Sequence, residues 1–291
     1  MARVDPTTLI TPALVDALDR VGRAKPEPLV GARLEAHWAS QVLAAVGFSY
    51  LPPADDYSHT AVRWDGEARR LVGRALPGSA QRAGLEVRSL TLHFGDERLA
   101  LSGKLLADGY AWMRSAVQRQ TGLFPKQELR TPSHDLPAHP VEGGASFGVA
   151  DQTALDEVEA WLAAGAALTG AVAEHAEGAG AALLWPHHFD VASLITIAGS
   201  GENTRTVGVG LSPGDAAKPQ PYWYVTPWPA PKADDLPALD GGRWHTDGWT
   251  GAVLDAGELV DLDDGAARAH ALATFSSSAV AAGRQLVGQQ G

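Results

Sequence analysis

The residues best suited to chemistry lie in segment 184–192, which reads Leu-Trp-Pro-His-His-Phe-Asp-Val-Ala. In an extended chain, alternation would put His188 and Asp190 on one face and His187 on the other. A carboxylate beside an imidazole fixes its tautomer and raises its basicity, which suits general acid–base catalysis. A buried hydrogen bond within a sheet would explain the same pair. We predict His188 as the base or ligand, Asp190 as its orienting carboxylate and His187 as a further catalytic residue.

A turn sequence, Ser212-Pro213-Gly214-Asp215, follows a predicted strand over 205–211. Proline at the second position and glycine at the third predict a type II turn, which would aim Ser212 and Asp215 away from the strand end. We therefore predict Asp215 as a second polar anchor of the catalytic site and Ser212 as a ligand contact. An ordinary turn accounts for the same residues.

An aromatic run, Pro-Tyr-Trp-Tyr-Val-Thr-Pro-Trp-Pro, occupies positions 221–229. Alternation places the two phenols on one face, and five of the nine tryptophans fall between positions 185 and 249. Such clustering is typical of a pocket that encloses an organic ligand, although an aromatic core would also explain it. The predicted substrate-binding residues are Trp185, Ser212, Tyr222, Tyr224, Trp228 and Trp244.

Three further histidines in predicted loops, His134, His139 and His245, could complete a metal site with His188 and Asp190. Three ligands and one open position are the arrangement that metal-assisted hydrolysis uses. The spacing matches no standard metal motif, and solvated loop histidines are the alternative. The chain has no cysteine, which excludes thiolate ligands and thiol nucleophiles. A divalent metal ion is the one cofactor that these residues suggest.

Composition limits the partners of the protein. The net charge of −11 opposes binding to nucleic acid, which depends on basic surfaces. No stretch approaches the roughly 20 apolar residues that a membrane span needs, and no signal-peptide core is present near the N-terminus. We expect a cytoplasmic protein with a small-molecule ligand, and neither a nucleic acid nor a membrane as partner.

Hydrophobic periodicity in the first half predicts a weak helix around residues 14–21, an extended connector at Lys25-Pro26-Glu27-Pro28 and a stronger helix over 34–46. His37 and Gln41, four residues apart, fall on one face of this helix. Strands follow over 59–64, 70–74, 85–92 and 97–102, with a hairpin turn at Gly95-Asp96, and a further helix covers 105–119.

The second half predicts a long helix from Asp151 to about 177 and a last helix over 265–283. Between them we predict strands over 181–185, 191–198, 205–211, 222–226 and 251–255. Strands and helices do not alternate regularly, so the fold class is α+β, with antiparallel sheets covered by helices. We predict two similar helix–strands–helix halves, 1–123 and 151–291, joined by a proline- and glycine-rich connector over 124–150. The second half carries the predicted site.

Several motifs taken together resemble a family of uncharacterised bacterial proteins with W-P-x-H-F-D, S-P-G-D and P-Y-x-Y-V in this order. Here they are Trp185 to Asp190, Ser212 to Asp215 and Pro221 to Val225, and His37-Trp38-x-x-Gln41 and Trp64-Asp65 match the first half of that family. The resemblance implies a shared fold and a shared site region. It implies no reaction and no catalytic residue.

These patterns together predict an intracellular enzyme that acts on a small organic molecule in an aromatic-lined pocket. The chemistry would be His/Asp acid–base catalysis or metal-assisted hydrolysis. The alternative is a non-catalytic small-molecule-binding protein of the same fold.

Overall fold

The computed structural model describes residues 3–148 and 151–288. The prediction of an α+β fold is confirmed, because six α-helices accompany two antiparallel sheets of five and six strands in this part of the chain. The helices are α1 Pro12–Leu18, α2 Pro26–Tyr50, α3 Leu106–Thr121, α4 Gln152–His175, α5 Ala256–Val260 and α6 Gly265–Gly288. The strands are β1 Arg63–Asp65, β2 Arg70–Val72, β3 Ala83–Glu86, β4 Thr91–Phe94, β5 Glu97–Ala100, β6 Leu183–Trp185, β7 Asp190–Ala198, β8 Arg205–Ser212, β9 Tyr222–Trp228, β10 Arg243–His245 and β11 Gly251–Asp255.

The chain folds into two compact units. The first, called here the middle unit, comprises Arg23–Glu159 and Leu183–Phe189. The second, called the terminal unit, comprises Met1–Gly22, Ala160–Ala182 and Asp190–Gly291. Segment 184–192, which contains the predicted catalytic residues, is therefore divided between the two units. Residues up to Phe189 belong to the middle unit, and those from Asp190 onwards belong to the terminal unit.

The middle unit is built on the sheet β1-β2-β3-β4-β5, in which each strand pairs with its sequence neighbour. One face of this sheet carries Leu71, Leu85 and Leu92, which are fully buried. Helix α3 comes close to both the sheet and α2 at Gly109, where an added Cβ would lie 3.2 Å from a methyl of Val42. The core of this unit thus lies between the sheet and the two helices.

Two local predictions for the middle unit are wrong. Residues Lys25 to Pro28 are not an extended connector, because α2 begins at Pro26. Amides of the first helical turn have no partner within the helix, so prolines there remove no hydrogen bond. The predicted strand over 85–92 is two strands, β3 and β4, separated by a 3-10 turn that ends at Leu90 with φ +46°. The predicted hairpin at Gly95 is confirmed, with φ +60° at that residue.

The terminal unit is built on strands β7, β8, β9, β11 and β10, which lie side by side in that order. Helices α4 and α6 pack closely against one face of β8. A Cβ added to Gly165 of α4 would lie 3.0 Å from Leu211, and one added to Gly283 of α6 would lie 3.1 Å from Val207. Asp151 caps α4 as predicted, since its Oδ1 accepts from the amide of Ala154 at 3.0 Å. The short strand β10 was not predicted.

The long helix α2 buries an unusual number of polar side chains. Its 25 residues include His37, Gln41 and Glu35, all of them buried. Buried polar groups need partners, and those of α2 are found at the candidate site.

Within residues 3–148 and 151–288, no helix is both long and apolar enough to cross a membrane.

Candidate functional site

The residues between β6 and β7 form a tight turn and not the predicted extended chain. The amides of His188 and Phe189 both donate to the carbonyl of Trp185, at 3.1 and 2.6 Å. Phe189 has φ +60°, a left-handed conformation that is rare for a bulky residue. The alternation that would have placed His188 and Asp190 on one face therefore does not apply.

Two side chains of helix α2 anchor this turn through hydrogen bonds. The carbonyl of Pro186 accepts from Nε2 of His37 and from Nε2 of Gln41, both at 2.7 Å. The ring of His37 also stacks on Phe189, with centroids 5.0 Å apart and planes 9° from parallel. The four-residue spacing of His37 and Gln41 thus has a structural explanation. Both side chains fix the turn that contains His187 and His188.

The protonation state of His37 follows from these contacts. A carbonyl only accepts hydrogen bonds, so Nε2 of His37 carries a hydrogen. Burial lowers the pKa of His37 to about 4, and the charge of Arg33 lowers it further, against the opposing effect of the Pro186 bond. His37 is therefore a neutral imidazole at physiological pH, with its proton on Nε2.

Three imidazole rings lie together beside this turn, and we call His134, His187 and His188 the histidine cluster. The ring centroid of His187 is 4.3 Å from that of His188 and 5.2 Å from that of His134. His188 is exposed, whereas His187 and His134 are partly buried. All three were predicted site residues, and they come from two segments more than 50 positions apart in the sequence.

The central ring of the cluster, His187, is electrostatically unusual. Burial lowers its pKa to about 4, and the neighbouring His188 and His134 lower it further. Its Nδ1 is buried and has no hydrogen-bond partner among the described residues. A buried N–H without an acceptor is rarer in proteins than a buried acceptor without a donor, so the proton belongs on Nε2. The Nδ1 lone pair of His187 is then free to accept a proton.

Aromatic side chains flank the cluster. Trp185 packs edge-on to His187 with centroids 5.9 Å apart, and Tyr57 packs edge-on to His134 at 5.9 Å. Tyr57 has φ +59°, so it and Phe189 are two of only four non-glycine residues with positive φ in the part of the chain described. Backbone strain of this kind concentrates at functional sites. Tyr57 could not be predicted as a site residue, because nothing in Asp-Asp-Tyr-Ser signals a left-handed tyrosine.

The predicted residues of the terminal unit form two tyrosine–aspartate pairs. The hydroxyl of Tyr224 donates to Asp190, and that of Tyr222 donates to Asp215 at 2.6 Å. The two phenol rings are 6.3 Å apart. Burial raises the pKa of both tyrosines, and the nearby carboxylates raise it further. Both phenols are consequently hydrogen-bond donors and not bases at physiological pH.

The Asp215 carboxylate also holds its own turn. Its Oδ1 accepts from the amides of Ala217 and Lys218, both at 2.7 Å. Gly214 has φ +111°, in the left-handed region that the predicted turn requires, and its amide donates to the Ser212 hydroxyl at 3.2 Å. Ser212 and Asp215 thus both have hydrogen-bond partners within residues 212–218, but the chain bends at residues 216–217 and not over the predicted 212–215.

Gly210 of β8 makes room for Tyr224 on the neighbouring strand. The two residues are directly opposite in the β8–β9 pairing. A Cβ on Gly210 would lie 2.4 Å from the Tyr224 hydroxyl and 2.8 Å from the carbonyl of Val191. Because real Cβ atoms do not approach that closely, only glycine allows Tyr224 to lie across β8 and reach Asp190.

The other predicted site residues have separate surroundings. Trp244 donates through Nε1 to the carbonyl of Pro237 at 2.7 Å, and Trp228 is 60% exposed. His245 lies against Trp249 with ring centroids 4.6 Å apart. In the middle unit, His139 accepts from the amide of Val141 at 3.4 Å.

The predicted metal site is not supported. Across residues 3–148 and 151–288, no group of three or more His, Asp or Glu side chains is placed to hold an ion. The set proposed from sequence was His188, Asp190, His134, His139 and His245. Its members were combined by residue type alone, because loop conformation could not be predicted from the sequence.

The chain was also compared with known proteins. No family model, no curated protein and no solved structure matches it.

Proposed function

We propose that the protein is an enzyme that acts on a small organic molecule at the histidine cluster, with His187 exchanging a proton with the substrate. The observation that carries this proposal is the buried Nδ1 of His187, which lacks a partner among the described residues. Leaving a buried polar atom unsatisfied costs about 1–3 kcal/mol, so such an atom calls for an explanation. A ligand that donates a hydrogen bond to Nδ1 supplies one.

The surroundings of His187 suit this role. Its low pKa keeps the ring neutral near pH 7, so the lone pair is available. His188 lies next to it and is exposed, which gives an accepted proton a route to water. Trp185 and Tyr57 offer apolar surface to the substrate. A base with a pKa near 4 is weak, which favours hydrolysis or proton transfer from an activated position.

This proposal changes the assignment made from sequence. The base moves from His188 to His187, because the turn places His187 at the centre of the cluster. Asp190 and Asp215 no longer serve as catalytic carboxylates, since both accept from tyrosines of the terminal unit. His37 and Gln41 become positioning residues that hold the turn.

Turnover of a substrate panel tests the proposal. The panel contains small esters, lactones, amides and carbonyl compounds whose α-protons exchange with deuterium. We expect His187→Gln to lose about 100-fold or more of any activity found, as removal of an acid–base group does. The wild-type rate should fall as the pH drops towards 4, because protonation removes the lone pair.

The exposed His270 provides the control, and His270→Gln should leave activity unchanged. Equal activity of the two variants would refute the role of His187.

A non-catalytic binding protein is the second candidate. The same low pKa favours it, because a weak base is a modest catalyst but a good hydrogen-bond acceptor. In this case a panel compound would raise the melting temperature of the wild type without being consumed. The stabilisation should disappear in His187→Gln and persist in His270→Gln.

A further inference from the structure

The middle unit contains a cavity of about 480 Å³ that sequence analysis did not predict. This volume falls within the roughly 300–1,000 Å³ typical of small-molecule sites. Three arginines, one serine and apolar residues are among those that line it, including Ser58, Arg63, Val72, Arg74, Arg82 and Leu183. We call it the arginine pocket.

The fold brings the three arginines together from separate elements. Arg63 of β1 is directly opposite Val72 of β2, and both alternate with Leu71, whose face of the sheet is the buried core. Arg74 and Arg82 lie on the connection from β2 to β3. The Arg82 guanidinium donates through Nη1 to the carbonyl of Gly73 at 3.2 Å, which anchors it across that connection.

The charge of the pocket stands out against that of the protein. The chain has a net charge of −11, yet none of Arg63, Arg74 and Arg82 forms an ion pair with a carboxylate among the described residues. An acidic group does lie near Ser58 of the pocket, since Oδ1 of Asp56 accepts from the Ser58 amide at 3.0 Å. Three positive charges in one cavity repel one another, and a bound anion would relieve that repulsion.

We propose that the arginine pocket binds the phosphate group of a small organic molecule. A guanidinium presents a planar fork of donors that matches phosphate oxygens, and three of them suit a dianion better than a single carboxylate. The Ser58 hydroxyl adds a neutral donor. The volume of the pocket exceeds the needs of an inorganic ion, so the ligand has an organic part.

The pocket and the histidine cluster share the same elements of the middle unit. Leu183 lines the pocket, and Trp185 projects from the same face of β6, about 7 Å further along the strand. Trp185 in turn contacts His187. On the other side, Ser58 of the pocket follows Tyr57, which contacts His134. A ligand anchored at the arginines can therefore extend towards His187, and this last step rests on the proposed function.

Titration with inorganic phosphate at constant ionic strength tests the site directly. We expect saturable shifts of the arginine Nε–H signals in NMR spectra, and affinity about tenfold lower in Arg63→Gln and in Arg74→Gln. Arg98 of β5 is an exposed arginine of the same unit outside the pocket, so Arg98→Gln should bind like the wild type. All three replaced side chains are exposed, and each variant should fold. Absence of saturation, equal binding of acetate, or an equal loss in Arg98→Gln would overturn the proposal.

A second titration separates this inference from the proposed function. Ribose 5-phosphate should bind more tightly than inorganic phosphate, and ribose should not bind. His187→Gln should keep the affinity for inorganic phosphate, because the imidazole is outside the pocket lining. Phosphate binding without any turnover would refute the catalytic role of His187 and leave the pocket intact. Turnover that depends on His187 without phosphate binding would do the reverse.

Discussion

The histidine cluster and the tyrosine–aspartate pairs use predicted site residues in opposite ways. In the pairs, each phenol donates to one oxygen of a carboxylate of the terminal unit. In the cluster, three rings of the same kind lie side by side, and a buried nitrogen of the central ring has no partner among the described residues. A matched pair stabilises a fold, whereas an unmatched acceptor invites a ligand.

The largest effect on stability is expected at Gly210, because the packing around it in the terminal unit leaves no room for a larger side chain. Gly210→Ala should destabilise the protein by about 3 kcal/mol or more, because the new methyl group would overlap the Tyr224 hydroxyl and the backbone of Val191. Urea unfolding measures the loss. Gly170 of α4 has nothing within 4 Å of an added Cβ, so Gly170→Ala should instead stabilise by about 1 kcal/mol or less. Similar results for the two variants would contradict the close packing of Tyr224 on β8.

The next largest effect is a loss of stability at low pH. It arises from His37, which holds the turn beside the histidine cluster. The pKa of His37 is about 4 in the folded protein and near 6.5 in the unfolded chain. The unfolded chain therefore binds a proton first as pH falls, and stability is lost between about pH 6.5 and 4. For His37 the loss is on the order of 3 kcal/mol. Unfolding curves near pH 7 and near pH 4 should differ less in His37→Gln than in the wild type, and equal differences would refute the depressed pKa.

A smaller effect distinguishes the two tyrosine–aspartate pairs from each other. Tyr224→Phe should cost about 2 kcal/mol, because the lost donor serves Asp190 in a largely buried setting. Tyr222→Phe should cost less than about 1 kcal/mol, because Asp215 is exposed and keeps two amide donors. Urea unfolding of both variants provides the comparison. A reversed order would mean that Asp215, and not Asp190, depends on its phenol.

The smallest effect is expected at the exposed member of the cluster. His188→Asn should change stability by about 0.5 kcal/mol or less, because the side chain is exposed. It should nevertheless raise the pKa of His187, since the charge of His188 is one of the causes that lower it. A ring-proton titration by NMR checks this shift. An unchanged His187 pKa would show that His188 does not contribute to it.

Periodicity was sufficient to predict the fold class and most elements, because α2, α4 and the strands of the terminal unit carry clear patterns. The glycine signal also predicted the hairpin turn at Gly95 correctly, whereas the bend after β8 lies at residues 216–217 and not over the predicted 212–215. The segment around His187 was harder, since Trp-Pro-His-His-Phe-Asp has strand composition but folds as a turn. Tertiary contacts decide that outcome, because His37 and Gln41, almost 150 residues away, capture the Pro186 carbonyl.

The three histidines of the candidate site were predicted from the sequence, but their grouping and the neighbouring Tyr57 were not. Residue type singled out His187, His188 and His134, yet the carboxylates and phenols that were predicted to join them bond to one another. The arginine pocket was not predicted at all, because Arg63, Arg74 and Arg82 are ordinary surface residues in sequence. Only the pairing of β1 with β2 and the shape of the next connection bring them together.

The state of the His187 ring tests the central claim most directly. Long-range ¹H–¹⁵N spectra of histidine-labelled protein report which ring nitrogens carry hydrogen at each pH. We expect His187 to be neutral near pH 5.5, with its hydrogen on Nε2 and an unprotonated Nδ1, and to titrate only near pH 4. A His187 ring that is doubly protonated near pH 5.5 would be a solvated loop imidazole, and the proposed site would lose its base.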